Sequence, residues 1–112
     1  MERMERFIII AMCFFCLTSF YEATFYNLEG NITKSGEVFK SNKMTCASNK
    51  FPIGAILKVT NKDNKRSVIV RVNDTGKMKD NVIDLSKGAF KKIAKLEEGR
   101  IKIRVNIIKW KS

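Results

Sequence analysis

The hydrophobic pattern changes period twice along the second half of the chain. "AILKVTN" (55–61) and "RSVIVRVN" (66–73) alternate apolar and polar positions, the pattern of half-buried strands, and the polar residues at 62–65 join them as a hairpin. Residues 85–96, "LSKGAFKKIAKL", shift to helical spacing. Leu85, Ala89, Phe90, Ile93 and Ala94 fall on one face, with Lys87, Lys91, Lys92 and Lys95 opposite. Ser86 is the expected N-cap, and Gly99 closes the segment. "RIKIRVNIIKW" (100–110) alternates again, which predicts burial of Ile101, Ile103, Val105 and Ile107. Upstream, residues 24–26 predict a short strand, followed by a loop, "NLEGNITKSGE", broken by Gly30 and Gly36. The sum is a mostly β domain of about five or six short strands with one helix near its end. A chain this small covers both sheet faces most readily by closing into a barrel.

Residues 7–17, "FIIIAMCFFCL", form a nearly unbroken apolar run behind Arg3 and Arg6. The run has the length of a signal-peptide core and falls short of the roughly 20 residues of a membrane span. Residues 1–22 are therefore expected to be a signal peptide and residues 23–112 the mature domain. It would be exported, periplasmic or secreted, with no stable membrane span once the signal is removed. Glu2 and Glu5 dilute the usual positive charge, and a retained anchor is the alternative. "SFYEA" places Ala23 before a possible cut, with Tyr21 two residues earlier; a cut after Ser19 is also compatible.

Cys13 and Cys16 form a CxxC inside the apolar run, where no redox or metal site can be built around them. Neither follows the small residues of a lipoprotein cleavage site, so a lipid anchor is the lesser reading. Removal of the signal leaves Cys46 alone, without an intramolecular disulfide, and it is expected to act as a small buried apolar residue.

A formal charge of +11 favours polyanionic partners: wall polymers, anionic head groups or nucleic acid. A solvated lysine-rich surface is the plain alternative. The basic residues are scattered along the strands and not interleaved with aromatics, and export argues against nucleic acid, so none is expected. No metal-ligand spacing and no nucleotide loop occurs, so no cofactor is expected.

"ATFY" (23–26), "TKSGEVF" (33–39), "TCASNKFPIG" (45–54), "LKVTN" (57–61), "VIVRVNDTG" (68–76), "VIDLSKGAF" (82–90) and "IKIRVNII" (101–108) occur in that order. Together they resemble the double-psi β-barrel domain of the rare lipoprotein A (RlpA)-like family, relatives of the expansins. The resemblance implies a six-stranded double-psi β-barrel whose surface cleft holds peptidoglycan glycan strands, here as an expected monomer. Active members of the family are lytic transglycosylases. They cleave between N-acetylmuramic acid and N-acetylglucosamine and leave a 1,6-anhydro end. The family's glutamate in "SGE" falls on Glu37 and its aspartate in "VND.G" on Asp74. Its next aspartate falls on Lys40 and its histidine on Ser48. Longer members also carry a separate peptidoglycan-binding module, for which 112 residues are not expected to leave room.

Cleavage of a glycan requires a proton delivered to the leaving oxygen while positive charge builds on the ring. The muramyl 6-hydroxyl can then attack, so one acid/base carboxylate suffices. Such an acid must hold its proton, through an apolar surrounding or a neighbouring carboxylate, whereas a close lysine works against it. The resemblance assigns Asp74 and Glu37 as catalytic, with Tyr26, Lys40 and Ser48 contacting sugar. Beside this stand the local readings. Asp74 also suits an Asx-type turn that ends its strand. Glu37 alone is an ordinary exposed acid. Asp84 in "IDLS" reads as structural, tying a loop or the start of the helix. Trp110 could stack on sugar or cap the barrel, and Phe25, Phe39, Phe51 and Phe90 read as core. Three functions follow from these residues: a lytic transglycosylase, a degenerate or expansin-like glycan binder, and a small basic module for an anionic partner.

Overall fold

The computed structural model describes residues 20–111. The expected signal sequence, apart from its last three residues, lies outside the described residues. Six strands are formed: β1 (Tyr21–Tyr26), β2 (Thr45–Ala47), β3 (Ile56–Asn61), β4 (Ser67–Asp74), β5 (Val82–Ser86) and β6 (Ile101–Lys109). A seven-residue helix, α1 (Lys87–Ile93), and a short 3-10 turn (Leu96–Glu98) separate β5 from β6. The strands close into a barrel in the order β1-β5-β2-β4-β3-β6. β1 runs parallel to β5 and β2 parallel to β4, while the other neighbours are antiparallel. This is the expected mostly β, six-stranded double-psi β-barrel with one short helix near its C-terminal end.

The hairpin forms as its alternation dictates. Leu57, Val59, Val68, Val70 and Val72 point into the barrel and are buried, while Lys58 and Ile69 point outward. Inside they meet Ile83, Leu85, Ile101 and Ile103, and Phe90 and Ile93 from α1 complete the same cluster. The hairpin turn also finishes the helix: the side-chain amides of Asn61 and Asn64 donate to the Ile93 carbonyl at 2.8 and 2.9 Å. That carbonyl would otherwise be an orphan of the helix end.

Two expectations are corrected, the place of Leu85 and the burial of Ile107, while Ser86 is the N-cap as expected. Leu85 belongs to β5, not to the helix, because it pairs with Phe25 on β1 and Cys46 on β2. The helix starts one residue after Ser86, whose hydroxyl accepts the Ala89 N–H at 3.2 Å. Ile107 is half-exposed, not buried. The end of β6 is bulged, since Leu57 pairs with Ile107 but Ile56 with Lys109 and Ile108 is left as an extra residue; burial along the strand fades from Ile103 through half-buried Val105 to Ile107. β2 carries no alternation to detect, since all three of its residues are buried.

The loop between β1 and β2 lies across the start of α1. Gly88 N–H donates to the Ser41 carbonyl at 2.7 Å, and a Cβ on Gly88 would sit 2.7 Å from that same oxygen. Only glycine allows this approach. Cys46 is buried and free, as expected.

Candidate functional site

Residues of β1 that point away from the core form one wall of a surface cleft of about 560 Å³: Glu22, Thr24 and Tyr26, two apart. Parallel pairing sets Asp84 of β5 directly beside Thr24, and the Thr24 hydroxyl donates to Asp84 Oδ1 at 2.7 Å. Asp74, the last residue of β4, comes in from the other side, followed by the 75–79 segment that forms the rim. Asn49 clamps that rim. Its amide donates to the carbonyls of Gly76 and Met78 at 2.7 and 2.8 Å, and its Oδ1 accepts the Gly76 N–H at 3.2 Å. Nothing in the sequence singles out Asn49, because its partners lie across the fold.

The cleft concentrates charge of both signs. Glu22, Asp74 and Asp84 line it together with Arg100, Lys77 and Lys79. Glu22 and Arg100 form an ion pair at 2.8 Å. Burial raises the Asp84 carboxyl above its ordinary value, opposed by the Thr24 hydrogen bond and the Arg100 charge. A carboxyl so placed is a better proton holder than one in water. Among the described residues no group of three or more cysteines, aspartates and glutamates comes together as a metal site.

The five residues assigned from sequence divide. Asp74 and Tyr26 line the cleft with Asp84. Asp74 is also a turn residue, since its Oδ1 accepts the N–H groups of Lys34 and Thr75 at 3.0 and 2.9 Å. Asp74 thus lines the cleft and also closes a turn. Glu37 is not part of the cleft wall. It is held by Arg71 at 2.7 Å and by the Asn73 amide at 2.9 Å, and these hydrogen bonds keep its carboxyl below the usual range. Lys40 is exposed outside the wall, and its charge acts on Glu29. Ser48 is buried, and its hydroxyl accepts the N–H groups of Lys50 and Phe51 in a local turn. Asp84, assigned a structural role from its sequence context, is the carboxyl that burial perturbs within the cleft. The signal for it was "IDLS": a lone acid between apolar strand residues needs a face open to something polar.

The aromatics follow the same division. Phe39, Phe51 and Phe90 are buried, and Phe25 packs on Phe90 with ring centroids 4.8 Å apart. Trp110 lies edge-on to Phe51, outside the cleft wall, and is 54% exposed.

A closed barrel with crossed parallel pairs and a carboxylate-lined cleft on its outer face defines a double-psi β-barrel domain. The chain belongs to the lytic transglycolase family, whose model matches residues 18–105. It is 41% identical over 93 residues to the endolytic peptidoglycan transglycosylase RlpA of Campylobacter jejuni, covering 82% of this chain and 33% of that protein. It is 42% identical over 88 residues to the same-named protein of Pseudomonas aeruginosa, covering 78% of this chain and 25% of the relative. The chain thus spans a third or less of these two curated relatives. Its fold is shared with the apo expansin of Clavibacter michiganensis, at TM-score 0.66 and 23% identity, over 84% of this chain and 52% of that one. It is shared equally with a Streptomyces papain inhibitor, at TM-score 0.64 and 24% identity, over 77% and 91% of the two chains. Among the described residues no helix is long and apolar enough to cross a membrane.

Proposed function

We propose that this domain cleaves peptidoglycan glycan strands as an endolytic lytic transglycosylase, with Asp84 as its acid and base. The observation that carries the reading is the environment of Asp84: a carboxyl raised by burial, oriented by Thr24, in a cleft that also holds Asp74. The names of the RlpA relatives supply the substrate class. Asp84 gives its proton to the glycosidic oxygen, the bond from that oxygen to the muramyl C1 breaks, and the N-acetylglucosamine end departs. The muramyl 6-hydroxyl then bonds to C1 and returns its proton to Asp84, which closes the 1,6-anhydro ring and restores the acid. Asp74, anchored by two backbone N–H groups, stabilises the positive charge on the ring between the two steps. Of the residues assigned from sequence, Asp74 keeps a direct role. Glu37 anchors the turn that serves Asp74, and Lys40 and Ser48 stay outside the path of the sugar. The work is extracytoplasmic, as peptidoglycan requires, and the apolar run at 7–17 is read as the export signal.

Digestion of purified peptidoglycan followed by mass spectrometry of the products tests this. Wild type is expected to release anhydro-muropeptides, and Asp84→Asn to release them at least about a hundredfold more slowly. Equal product from both removes Asp84 from the chemistry, and no product from wild type removes the reaction.

A second reading, glycan binding without cleavage, is favoured by Glu37. Of the two acids that the family pattern supplies here, it is the one committed to an ion pair. It predicts retention on peptidoglycan with no new chain ends.

A further inference from the structure

Tyr26 carries a polar group that the reaction above does not use. Its hydroxyl oxygen is closed off from solvent and has no hydrogen-bond partner, a costly condition for a buried donor. Phe39 packs against its ring at a centroid distance of 4.7 Å, so the side chain is held from behind. Along β1 it points to the same side as Thr24, one pleat beyond the residue that bonds Asp84. Burial first, then the negative charges of Asp74 and Asp84, keep the phenol protonated, so it stays available as a donor as its neighbours titrate. The hydrogen bonds that both carboxylates accept fall on Oδ1, leaving Oδ2 of each to accept another.

We propose that Tyr26 is a positioning residue for the Asp74–Asp84 pair, its O–H closing onto Oδ2 of whichever carboxylate gains negative charge when a proton leaves the pair. The proposal rests on the glycan-cleaving role given to Asp84, because the charge it answers is the one created as Asp84 protonates the leaving oxygen. A donor left unpartnered at rest and partnered in the charged state favours the charged state, which is the condition for acceleration. Other charged or titratable groups face the pair: Glu22 with Arg100 as an ion pair, Lys77 and Lys79 from the rim, and Cys46 from β2. All are unchanged in Tyr26→Phe, so a difference between the two proteins belongs to the phenol.

The experiment compares wild type with Tyr26→Phe by titrating the Asp74 and Asp84 carboxyl carbons by NMR, by kinetics on glycan strands, and by melting the free protein. Loss of the donor is expected to move the titration of at least one carboxyl upward by about one to two pH units. It should also lower kcat about tenfold or more with KM unchanged. Measured at a pH below both carboxyl titrations, the melting temperature stays the same or rises, because there the phenol has no hydrogen bond to lose. Superimposable carboxyl titrations overturn the proposal, as does a raised KM with kcat intact, which would mean that the phenol touches sugar instead. A lower melting temperature with unmoved titrations assigns Tyr26 to the framework and also overturns it. If wild type makes no anhydro product, the proposed reaction fails, and the carboxyl titrations alone decide the role of Tyr26.

Discussion

Arg71 Nη1 lies 2.7 Å from Glu37 Oε1, which pins the 33–37 turn to the middle of β4. The same turn delivers the Lys34 N–H to Asp74 at 3.0 Å and the Ser35 N–H to the Asn73 carbonyl at 3.0 Å. Glu37 therefore reaches the cleft through Asp74, as an anchor.

Glu37→Gln is expected to leave the pattern of anhydro products unchanged and to slow their release by less than about tenfold, since the Asp84–Thr24 contact is untouched. The carboxyl of Glu37 is held below its ordinary value in the folded protein, so its stabilisation is present above the unfolded value of about 4.3 and is lost as pH falls through the lower folded value. Each partner is about a third exposed, and solvent screening limits the effect to about 1 kcal/mol or less. Urea unfolding should show Glu37→Gln weaker than wild type near neutral pH, with the two converging in strong acid. A full loss of product would return Glu37 to the chemistry.

Asp84 works with the opposite sign. Its folded value is raised, so the folded state binds more protons and stability falls as pH rises from the unfolded value of about 3.9 toward the folded one. Asp84→Asn removes the buried charge, and its side-chain oxygen can still accept from Thr24. It should melt at or above the wild-type temperature near neutral pH, with the gap closing in acid. Wild-type turnover should decline on the alkaline side as Asp84 loses its proton. A variant markedly less stable than wild type at neutral pH contradicts this electrostatic account.

Gly88→Ala tests the close approach of the β1–β2 loop to α1. The new methyl would meet the Ser41 carbonyl oxygen at 2.7 Å and Asn42 Cα at 3.0 Å, both backbone atoms that cannot swing aside. A loss of about 1–3 kcal/mol is expected from chemical denaturation. An unchanged midpoint would show that the loop is free to lift.

The start of the folded domain is the fourth test. Tyr21, Glu22 and Ala23 pair with Ile103, Lys102 and Ile101 of β6, Ala23 is buried, and Glu22 holds Arg100. A protein beginning at Phe20 should unfold cooperatively, and one beginning at Thr24 should melt well below it. If the run at 7–17 is removed as an export signal, the processed chain should keep Tyr21, by intact mass, as a cut after Ser19 would allow. An N-terminus at Thr24 on a stable domain would show that these pairings are dispensable.

Local periodicity was sufficient for much of this fold. Alternation over 55–73 specifies the β3–β4 hairpin because every second side chain must leave water, and Ser86 ends the preceding strand by offering its hydroxyl to a helix amide. The motifs around Asp74 placed that residue at a strand end, where the cleft lies. What the chain order alone does not contain is adjacency. Asp84 faces Thr24, a residue 60 positions away, only because β5 enters the barrel parallel to β1, and that pairing turns an acid between apolar neighbours into a cleft acid. Arg71 likewise neutralises Glu37 only because a loop folds over β4. Backbone geometry follows from short-range sterics and burial, which neighbouring residues decide. The protonation of a carboxyl follows from the charges and the water within a few ångströms, and those are set by residues that the closing of the barrel brings together.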